Sequence, residues 1–235
     1  MARDRNKKKR LWYWLLVRIP FWLIVGCSAV VLLFKWVPVR YTPLMLRRSI
    51  ASYSDTSFHI QKVWVPLSEV SPELIKAVIV AEDIYFPVHH GFDFQEMGRM
   101  WRKHRNKGTP IRGCSTISQQ TAKNVFTWGY RTWFRKAAET CWTLLIEWIW
   151  GKERIMEVYL NVVELGKGIY GIEAAAQTYY HISSRDLDMD QSLSIATCLP
   201  SPLRTRPTDE PDPERKENME RLRLREGRVS FPGVL

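Results

Sequence analysis

The first long apolar segment of the chain covers residues 11–37, where only Arg18 and Lys35 interrupt the hydrophobic pattern. About 20 apolar residues of helix cross the roughly 30 Å hydrocarbon core of a bilayer. Tryptophans near both ends of the segment are typical of an interfacial aromatic belt. A cleaved signal peptide would show a small-residue cleavage site after the apolar core, and the following sequence FKWVPVRYTP has none. The pattern therefore predicts an uncleaved transmembrane anchor.

The remainder of the chain alternates between apolar residues at helical spacing and short polar breaks. Ser71 followed by Pro72 predicts an N-cap and a first-turn proline. We expect helices at about 72–83, 115–126, 132–150, 152–164, 171–180, 190–199 and 213–226. Residues 38–70 are expected to contain short extended pieces, and residues 85–113 an irregular flap around one short helix. The pattern predicts a mainly α-helical fold behind the anchor.

The distribution of charge narrows the class of partner. The net charge is +11, and residues 1–10 contain six Lys or Arg against one Asp. Basic residues before a span favour a cytoplasmic N-terminus and export of the chain beyond the span. The segment WRKHRNK at 101–107 would suit nucleic acid, but an exported domain beside a membrane meets anionic headgroups and phosphates instead. We therefore expect membrane lipids, and no nucleic acid, among the partners.

The four cysteines indicate neither a disulfide framework nor a metal site. Cys27 lies in the apolar segment, and the three thiols beyond it cannot all pair. The chain has no Cys-x-x-Cys or His-x-x-x-His spacing. No metal ligands are predicted.

The first candidate for chemistry is a pair of acids, Glu82 and Asp83, at the end of a helix that is apolar nearly all round. Such a helix should be buried. Carboxylates at a helix C-terminus oppose the helix dipole by about 0.3–1 kcal/mol, and burial raises the pKa of a carboxyl group. Two acids kept there suggest a catalytic task. The local pattern is equally consistent with two acids that are solvated at the edge of a loop.

The second candidate is a polar helix face near residue 120. Thr116, Gln120 and Lys123 project from one side of the predicted helix, and Thr116 with Gln119 has the spacing of a capping box. Backbone N–H groups at a helix N-terminus favour anions. An exposed polar face is the simpler interpretation. A helix-turn-helix is also compatible with these residues, but export argues against it.

The third candidate is Glu139, an acid on an otherwise apolar helix stripe with Arg135 four residues earlier. Taken alone, this spacing favours a structural salt bridge worth a few tenths of a kcal/mol. Taken together, the three clusters place two acids around a group of cations. Two carboxylates flanking a sugar linkage are typical of glycosyl chemistry, and cations stabilise a phosphate leaving group. Beside a membrane anchor, these groups predict sugar transfer from a lipid-linked phosphate donor.

Five ordered segments between about residues 66 and 203 contain these groups. They read EDIYFPVHHGFD, GCSTISQQTAKN, RKAAE followed by KERIMEVYLN, GIYGIEAAAQTYY, and SIATCLPSP. In this order they resemble the motifs of the peptidoglycan glycosyltransferases. Within that family, they resemble the monofunctional membrane-anchored type. The resemblance implies a lysozyme-like helical fold with a small membrane-proximal subdomain. A transpeptidase nucleophile motif has a Ser followed by Lys three residues later. No Ser of this chain has that spacing, so we expect a monofunctional enzyme.

The resemblance implies a reaction and a set of site residues. The reaction is polymerisation of lipid II into β-1,4 glycan strands, by inverting transfer from an undecaprenyl-pyrophosphate-linked donor to the GlcNAc 4-hydroxyl of the acceptor. Glu82 corresponds to the general base, and Glu139 to a second catalytic acid near the departing pyrophosphate. The expected substrate-binding residues are Asp83, His89, Thr116, Gln120, Lys123, Arg135 and Lys136. Some family members use a divalent cation (Mg²⁺ or Mn²⁺) at the pyrophosphate, and no residue pattern here marks one.

Four residues depart from the family's usual pattern, namely Cys114, Gly151, Tyr180 and Gln191. None of them removes a proposed catalytic group, so they bear on local packing. Arg112 is expected to join the cations around the phosphates.

The expected organisation is a basic cytoplasmic tail, a transmembrane anchor, a glycosyltransferase domain and a polar C-terminal tail, at residues 1–10, 11–37, 38–203 and 204–235. We expect a single-pass protein of the bacterial inner membrane with a periplasmic catalytic domain. Its expected partners are lipid II, the growing glycan strand and other cell-wall synthesis proteins. Two alternatives stay open, a glycan-cleaving lysozyme-like enzyme and an inactive scaffold of the cell-wall machinery.

Overall fold

The computed structural model describes residues 13–108, 115–128, 132–227 and 229–231. The basic tail, Arg112 and Cys114 therefore lie outside the described residues. The chain falls into two compact units, residues 1–37 and 38–235.

The first unit contains one long apolar helix. A π-helical turn, Trp14–Arg18, leads into α1, Ile19–Trp36. Together they make 23 residues that are long and apolar enough to cross a membrane. The Arg18 guanidinium carbon lies 4.4 Å from the ring centroid of Trp14, which is a cation–π distance. The predicted apolar helix is confirmed, and its insertion in a membrane stays a prediction.

The second unit is mainly helical, as the sequence predicts. Its helices are α2 (Pro43–Ala51), α3 (Pro72–Glu82), α4 (Phe94–Lys107), α5 (Ile117–Phe126), α6 (Trp133–Ile149), α7 (Lys152–Val162), α8 (Ile172–Tyr180), α9 (Met189–Cys198) and α10 (Pro213–Glu226). The strands β1 (Gln61–Lys62), β2 (Glu164–Gly166) and β3 (Ile169–Tyr170) form a sheet in the order β1–β3–β2. Strand β1 runs parallel to β3, and β2 runs antiparallel to it.

Local capping signals set the start of several helices. The predicted capping box of Thr116 and Gln119 opens α5, and a second box of Asp188 and Gln191 opens α9. Gln191, one of the four departures, thus supplies the side-chain acceptor that the box requires. Gly151 precedes α7 with a φ of +78°, a conformation that favours glycine over the residues usual at that position.

Two helices differ from the sequence prediction. The expected single short helix within residues 85–113 is wrong in length, because α4 has 14 residues. None of these residues is buried, so the segment lacks the apolar stripe that marks a packed helix. Its ends are capped instead, by the Asp93 side chain, which accepts from the Glu96 N–H at 2.8 Å, and by Gly108 with a φ of +63°. Helix α2 lies within residues 38–70, a mixed segment for which the sequence analysis expected short extended pieces and named no helix.

The core brings two groups of helices together. Helix α3 packs against α9 and α10, while α5 packs against α6 and α7. The rings of Phe126 and Trp142 stack at 4.4 Å and join α5 to α6. Large side chains of α7 are fully buried, among them Ile155, Met156, Tyr159 and Leu160. This packing places the end of α3 beside the start of α5.

Substitution of Asn161 on α7 tests this packing. Its amide donates to the Val65 carbonyl at 2.8 Å and accepts from the Val65 N–H at 2.9 Å, and the side chain is 1% exposed. Asn161→Ala leaves both backbone groups buried without a partner, at about 1–3 kcal/mol each. We expect the free energy of unfolding, measured by denaturant titration of the detergent-solubilised chain, to fall by about 2–6 kcal/mol.

The matched control is Asn218→Ala, at an exposed position of α10. Alanine is the better helix former there, so a change of at most a few tenths of a kcal/mol is expected. Equal effects of the two substitutions would contradict the role given to Asn161.

Candidate active site

The acid pair lies at the junction of the two helix groups. Glu82 is the last residue of α3, and Asp83 follows it as the C-cap. The body of the helix is held in the core by Leu74, Ile75, Ala77, Val78, Ile79 and Val80. Both acids are therefore attached to the end of a helix that is fixed in position by its core contacts.

Asp83 connects the first motif to the second. Its Oδ2 accepts from the N–H of Ile117, the first residue of α5, at 2.9 Å and from His89 Nε2 at 2.9 Å. The Gly91 N–H donates to His89 Nδ1 at 3.1 Å, so the hydrogen-bond network assigns the proton of the neutral ring to Nε2. Asp83 is only 8% exposed, which excludes a freely solvated position for this acid.

Glu82 is held by the polar face of α5. Its Oε2 accepts from Gln120 Nε2 at 2.6 Å. Burial raises the pKa of Glu82, and Asp83 adds to this, while the Gln120 hydrogen bond and the charge of Lys123 oppose it. A carboxylate with a raised pKa at the edge of a cavity is suited to proton transfer.

Thr116 is used within the protein. Its Oγ1 accepts from the Gln119 N–H at 3.1 Å and donates to the Gly91 carbonyl at 2.7 Å. The residue is 3% exposed. The Thr116 hydroxyl thus has two protein partners and connects α5 to the first motif. The expected contact of Thr116 with substrate stays a prediction.

Three cations, Lys123, Arg135 and Lys136, form what we call the cationic ledge. Arg135 donates to Glu139 Oε2 at 2.9 Å, and Lys136 donates to the other carboxylate oxygen. Glu139 is 2% exposed. The salt bridge predicted from the four-residue spacing is therefore present, and Lys136 adds a second one.

Lys123 connects the ledge to the acid pair. Although the residue keeps much of its surface exposed, desolvation of the ammonium group lowers the pKa of Lys123, and Arg135 and Lys136 lower it further. Attraction to Glu139 and to Glu82 opposes this. Lys123 therefore interacts electrostatically with both Glu82 and Glu139.

A supporting network under the first motif was missed by the sequence analysis. Glu147 accepts from Lys152 Nζ at 2.6 Å and from the Ser118 hydroxyl. The ammonium of Lys152 lies 4.6 Å from the ring centroid of Phe86. Glu147 follows Glu139 by two helical turns, so the repeat of acids on one face of α6 was a usable signal.

A cavity of about 420 Å³, which we call the Glu82 cleft, opens beside the acid pair. Its described lining consists of Val80, Ala81, Glu82, Asp83, Ile84, Tyr85, Asp93, Glu96, Arg99, Ser115, Thr116 and Arg225. The cationic ledge is not part of this lining. Glu82 thus lines a cavity of ligand-binding size and also interacts electrostatically with Lys123 of the ledge.

The described residues do not fit a protein-held metal ion at the ledge. No group of three or more His, Cys, Asp or Glu side chains within the described ranges has a metal-binding arrangement. Glu139 could in principle supply a carboxylate ligand at the ledge, but its carboxylate is already paired with Arg135 and Lys136.

Comparison with known proteins gives a consistent result. A family model described as Transglycosylase matches residues 46–226. The chain is 47% identical over 208 residues to a biosynthetic peptidoglycan transglycosylase of Bdellovibrio bacteriovorus, covering 87% of this chain and 80% of the relative. It is 44% identical over 196 residues to the protein of that name from Caulobacter vibrioides, covering 83% of each. The corresponding protein of Haemophilus influenzae (strain PittEE) is 41% identical over 188 residues, covering 79% of this chain and 78% of the relative.

Gly91 generates a test of how the first motif is held. It has a φ of +91°, and an added Cβ would lie 2.9 Å from Thr143 Cγ2 and 3.1 Å from Glu147 Cγ. Gly91→Ala should lower the free energy of unfolding by about 1–3 kcal/mol through backbone strain alone, measured by thermal or denaturant unfolding in detergent.

Gly98→Ala is the matched control, because this glycine lies inside α4 and an added Cβ meets nothing within 4 Å. It should leave stability unchanged or raise it by about 0.5–1 kcal/mol. If the Gly91 variant were as stable as the Gly98 variant, the close approach at Gly91 would have no energetic importance.

Proposed function

The chain belongs to the transglycosylase family, and we propose that this peptidoglycan glycosyltransferase polymerises lipid II with Glu82 as its general base. The proposal rests mainly on one observation. Glu82 lines the cleft, accepts a hydrogen bond from Gln120 of α5 at 2.6 Å, and interacts electrostatically with Lys123, one of the three cations of the ledge. A sugar acceptor in the cavity and a sugar diphosphate on the ledge would meet at this carboxylate.

In the proposed step, the acceptor GlcNAc occupies the Glu82 cleft with its 4-hydroxyl at the carboxylate. Glu82 takes the hydroxyl proton as the 4-oxygen bonds to C1 of the donor sugar. The bond from C1 to the diphosphate oxygen breaks, and the bonding electrons leave with the lipid diphosphate. Attack from the face opposite the leaving group inverts the anomeric carbon.

The cationic ledge is proposed to stabilise the charge that develops on the departing diphosphate. Arg135 offers a planar set of donors suited to phosphate oxygens, and Lys123 and Lys136 add mobile charges. Donor binding would neutralise part of the Lys123 charge that lowers the pKa of Glu82. The base would therefore become stronger once the donor is in place.

Glu139 is assigned a positioning role in this mechanism. Both of its carboxylate oxygens are bonded to ledge cations, so proton transfer by this acid would require those bonds to break. Its burial at 2% exposure makes the paired state the stable one. Asp83 and His89 are proposed to hold α5 and the first motif in register, and Gln120 to orient Glu82.

A divalent cation of the kind used by some relatives would, in this proposal, be carried by the diphosphate oxygens. The described residues at the ledge form no metal-binding group of His, Cys, Asp or Glu side chains for it.

We propose that the apolar helix anchors the enzyme in the bacterial inner membrane by a single pass. The basic residues 1–10 would stay in the cytoplasm and the domain from residue 38 onward would lie in the periplasm. Lipid II and the nascent strand, both lipid-linked, would then reach the site from the outer leaflet. Other cell-wall synthesis proteins remain expected partners.

A glycan-cleaving enzyme is the second candidate, because it too would use a glutamic acid in a sugar groove. Three cations around a buried carboxylate have no task in hydrolysis of a neutral glycan, which favours the polymerase. Soluble glycan strands separate the two functions, since a cleaving enzyme shortens them and a polymerase leaves them intact.

Glu82→Gln tests the general base. Removing the proton acceptor while keeping the shape should lower kcat for lipid II polymerisation in detergent by about 10²–10⁴-fold. Glu69→Gln, at an exposed position before α3, is the matched control and should retain wild-type turnover. Full activity of the Glu82 variant would remove Glu82 from the mechanism. If the wild type and Glu82→Gln complemented a strain that lacks the protein equally well, the inactive scaffold would be favoured.

The pKa of Glu82 predicts the pH dependence. The base works only when ionised, and its pKa is raised above the ordinary 4.5. Activity should therefore be lost, as pH falls, at a higher pH than for an ordinary Glu.

Gln120→Ala removes a hydrogen bond that favours the carboxylate, so the acid limb of kcat/KM should move to still higher pH. Gln177→Ala removes a like amide–carboxylate bond to Glu173 on α8 and should not move it. A shift to lower pH would contradict the assignment.

A further inference from the structure

Arg225, in the last turn of α10, reaches the Glu82 cleft from a part of the chain outside the five motifs. Helix α10 is fixed at several points. Met219 and Leu222 are buried, and Arg223 pairs with Asp190 on α9. At the other end of the helix, Arg215 donates to the Arg206 carbonyl at 2.9 Å. The position of Arg225 at the cleft is therefore set by packing.

The remaining charges of the cleft are largely paired. The Asp83 carboxylate is bonded to His89 and to the α5 N-terminus. Asp93 caps α4, and Glu96 pairs with Arg99 at 3.3 Å.

Arg225 differs from these groups. Within the described part of the chain, no carboxylate pairs with it, and its side chain is exposed. An unpaired guanidinium at the mouth of a cavity is a donor set for an anion, and its planar fork matches phosphate oxygens. Among the described residues that line the cleft, Arg225 is therefore a free cation, and none of the three ledge cations belongs to this lining.

The acceptor supplies a matching anion. Lipid II acts as acceptor through the 4-hydroxyl of its GlcNAc, and its own diphosphate is attached to the second sugar. When the 4-hydroxyl lies at Glu82, this diphosphate is directed away from the reacting atoms. The ledge is then occupied by the donor diphosphate, and the acceptor diphosphate needs a separate cation.

We propose that Arg225 binds the diphosphate of the acceptor, so that α10 contributes to acceptor recognition. This inference rests on the proposed function and assigns Arg225 no part in proton transfer or in departure of the leaving group. Loss of Arg225 should therefore weaken acceptor binding and leave the chemical step and the donor largely unaffected.

The test uses the full chain in non-ionic detergent, which supplies no anionic headgroups. The donor is lipid II with its 4-hydroxyl blocked. Two acceptors are compared. One is a non-transferable C-glycoside, in which a methylene group replaces the oxygen between C1 and the diphosphate, and the other has a neutral linker in place of the diphosphate. For Arg225→Ala we expect KM for the anionic acceptor to rise about 10- to 100-fold, the range of one or two charge-assisted hydrogen bonds. The change in kcat should stay within about threefold.

Three comparisons complete the expected result. With the neutral acceptor, kcat/KM of Arg225→Ala should equal that of the wild type. Arg225→Lys should recover part of the lost affinity, because it keeps the charge but not the fork. Arg221→Ala, one turn earlier on α10 and exposed beside Glu217, is the matched control and should behave as the wild type.

Other outcomes would overturn the inference. Wild-type kinetics of Arg225→Ala with both acceptors would leave Arg225 without a role in recognition. Equal losses with both acceptors would indicate a structural effect. A loss seen only in vesicles containing phosphatidylglycerol would assign Arg225 to lipid headgroups. Glu82→Gln is measured in parallel: if it is inactive while Arg225→Ala is normal, only the present inference fails, and if it is fully active, the proposed function fails as well.

Discussion

The site depends on the hydrogen bonds that Asp83 makes across 34 residues to the start of α5. A carboxylate is stabilised at a helix N-terminus, and the same side chain accepts from His89. These bonds hold the end of α3 against the face of α5 that carries Gln120 and Lys123. They also divide the work of the two acids. Asp83 is satisfied by the protein, whereas Glu82 keeps a single close donor and a pKa that is raised by poor solvation.

The ledge shows the opposite treatment of a carboxylate. Glu139 is more deeply buried than Glu82, yet it carries two cations. Burying a charge is unfavourable unless it is paired, so Arg135 and Lys136 are kept in fixed positions by the acid between them. Two glutamates of one site thus differ in chemistry because of their neighbours. In the proposed mechanism, Glu82 would accept a proton, and Glu139 would hold the charges that a diphosphate meets.

The parts of the fold that could be predicted from sequence are those set by local signals. The α5 capping box, the apolar body of α3 and the four-residue spacing of Arg135 and Glu139 all appear in the structure as expected. Helices without such signals were missed or misjudged. Helix α4 buries no residue, and α2 buries only Met45, so neither shows the apolar stripe on which a pattern-based prediction depends.

The limits for the site have the same physical origin. Residue types and motif order predicted Glu82, Lys123 and Arg135 as site residues, but whether a carboxylate is free or paired depends on contacts between distant segments. Glu147 meets Ser118 and Lys152 only after α5, α6 and α7 pack together. Arg225 reaches the cleft only because α10 returns to pack on α3 and α9. A segment that looked like a polar tail is therefore, by position, a wall of the cleft, and its role there depends on tertiary packing that no local pattern encodes.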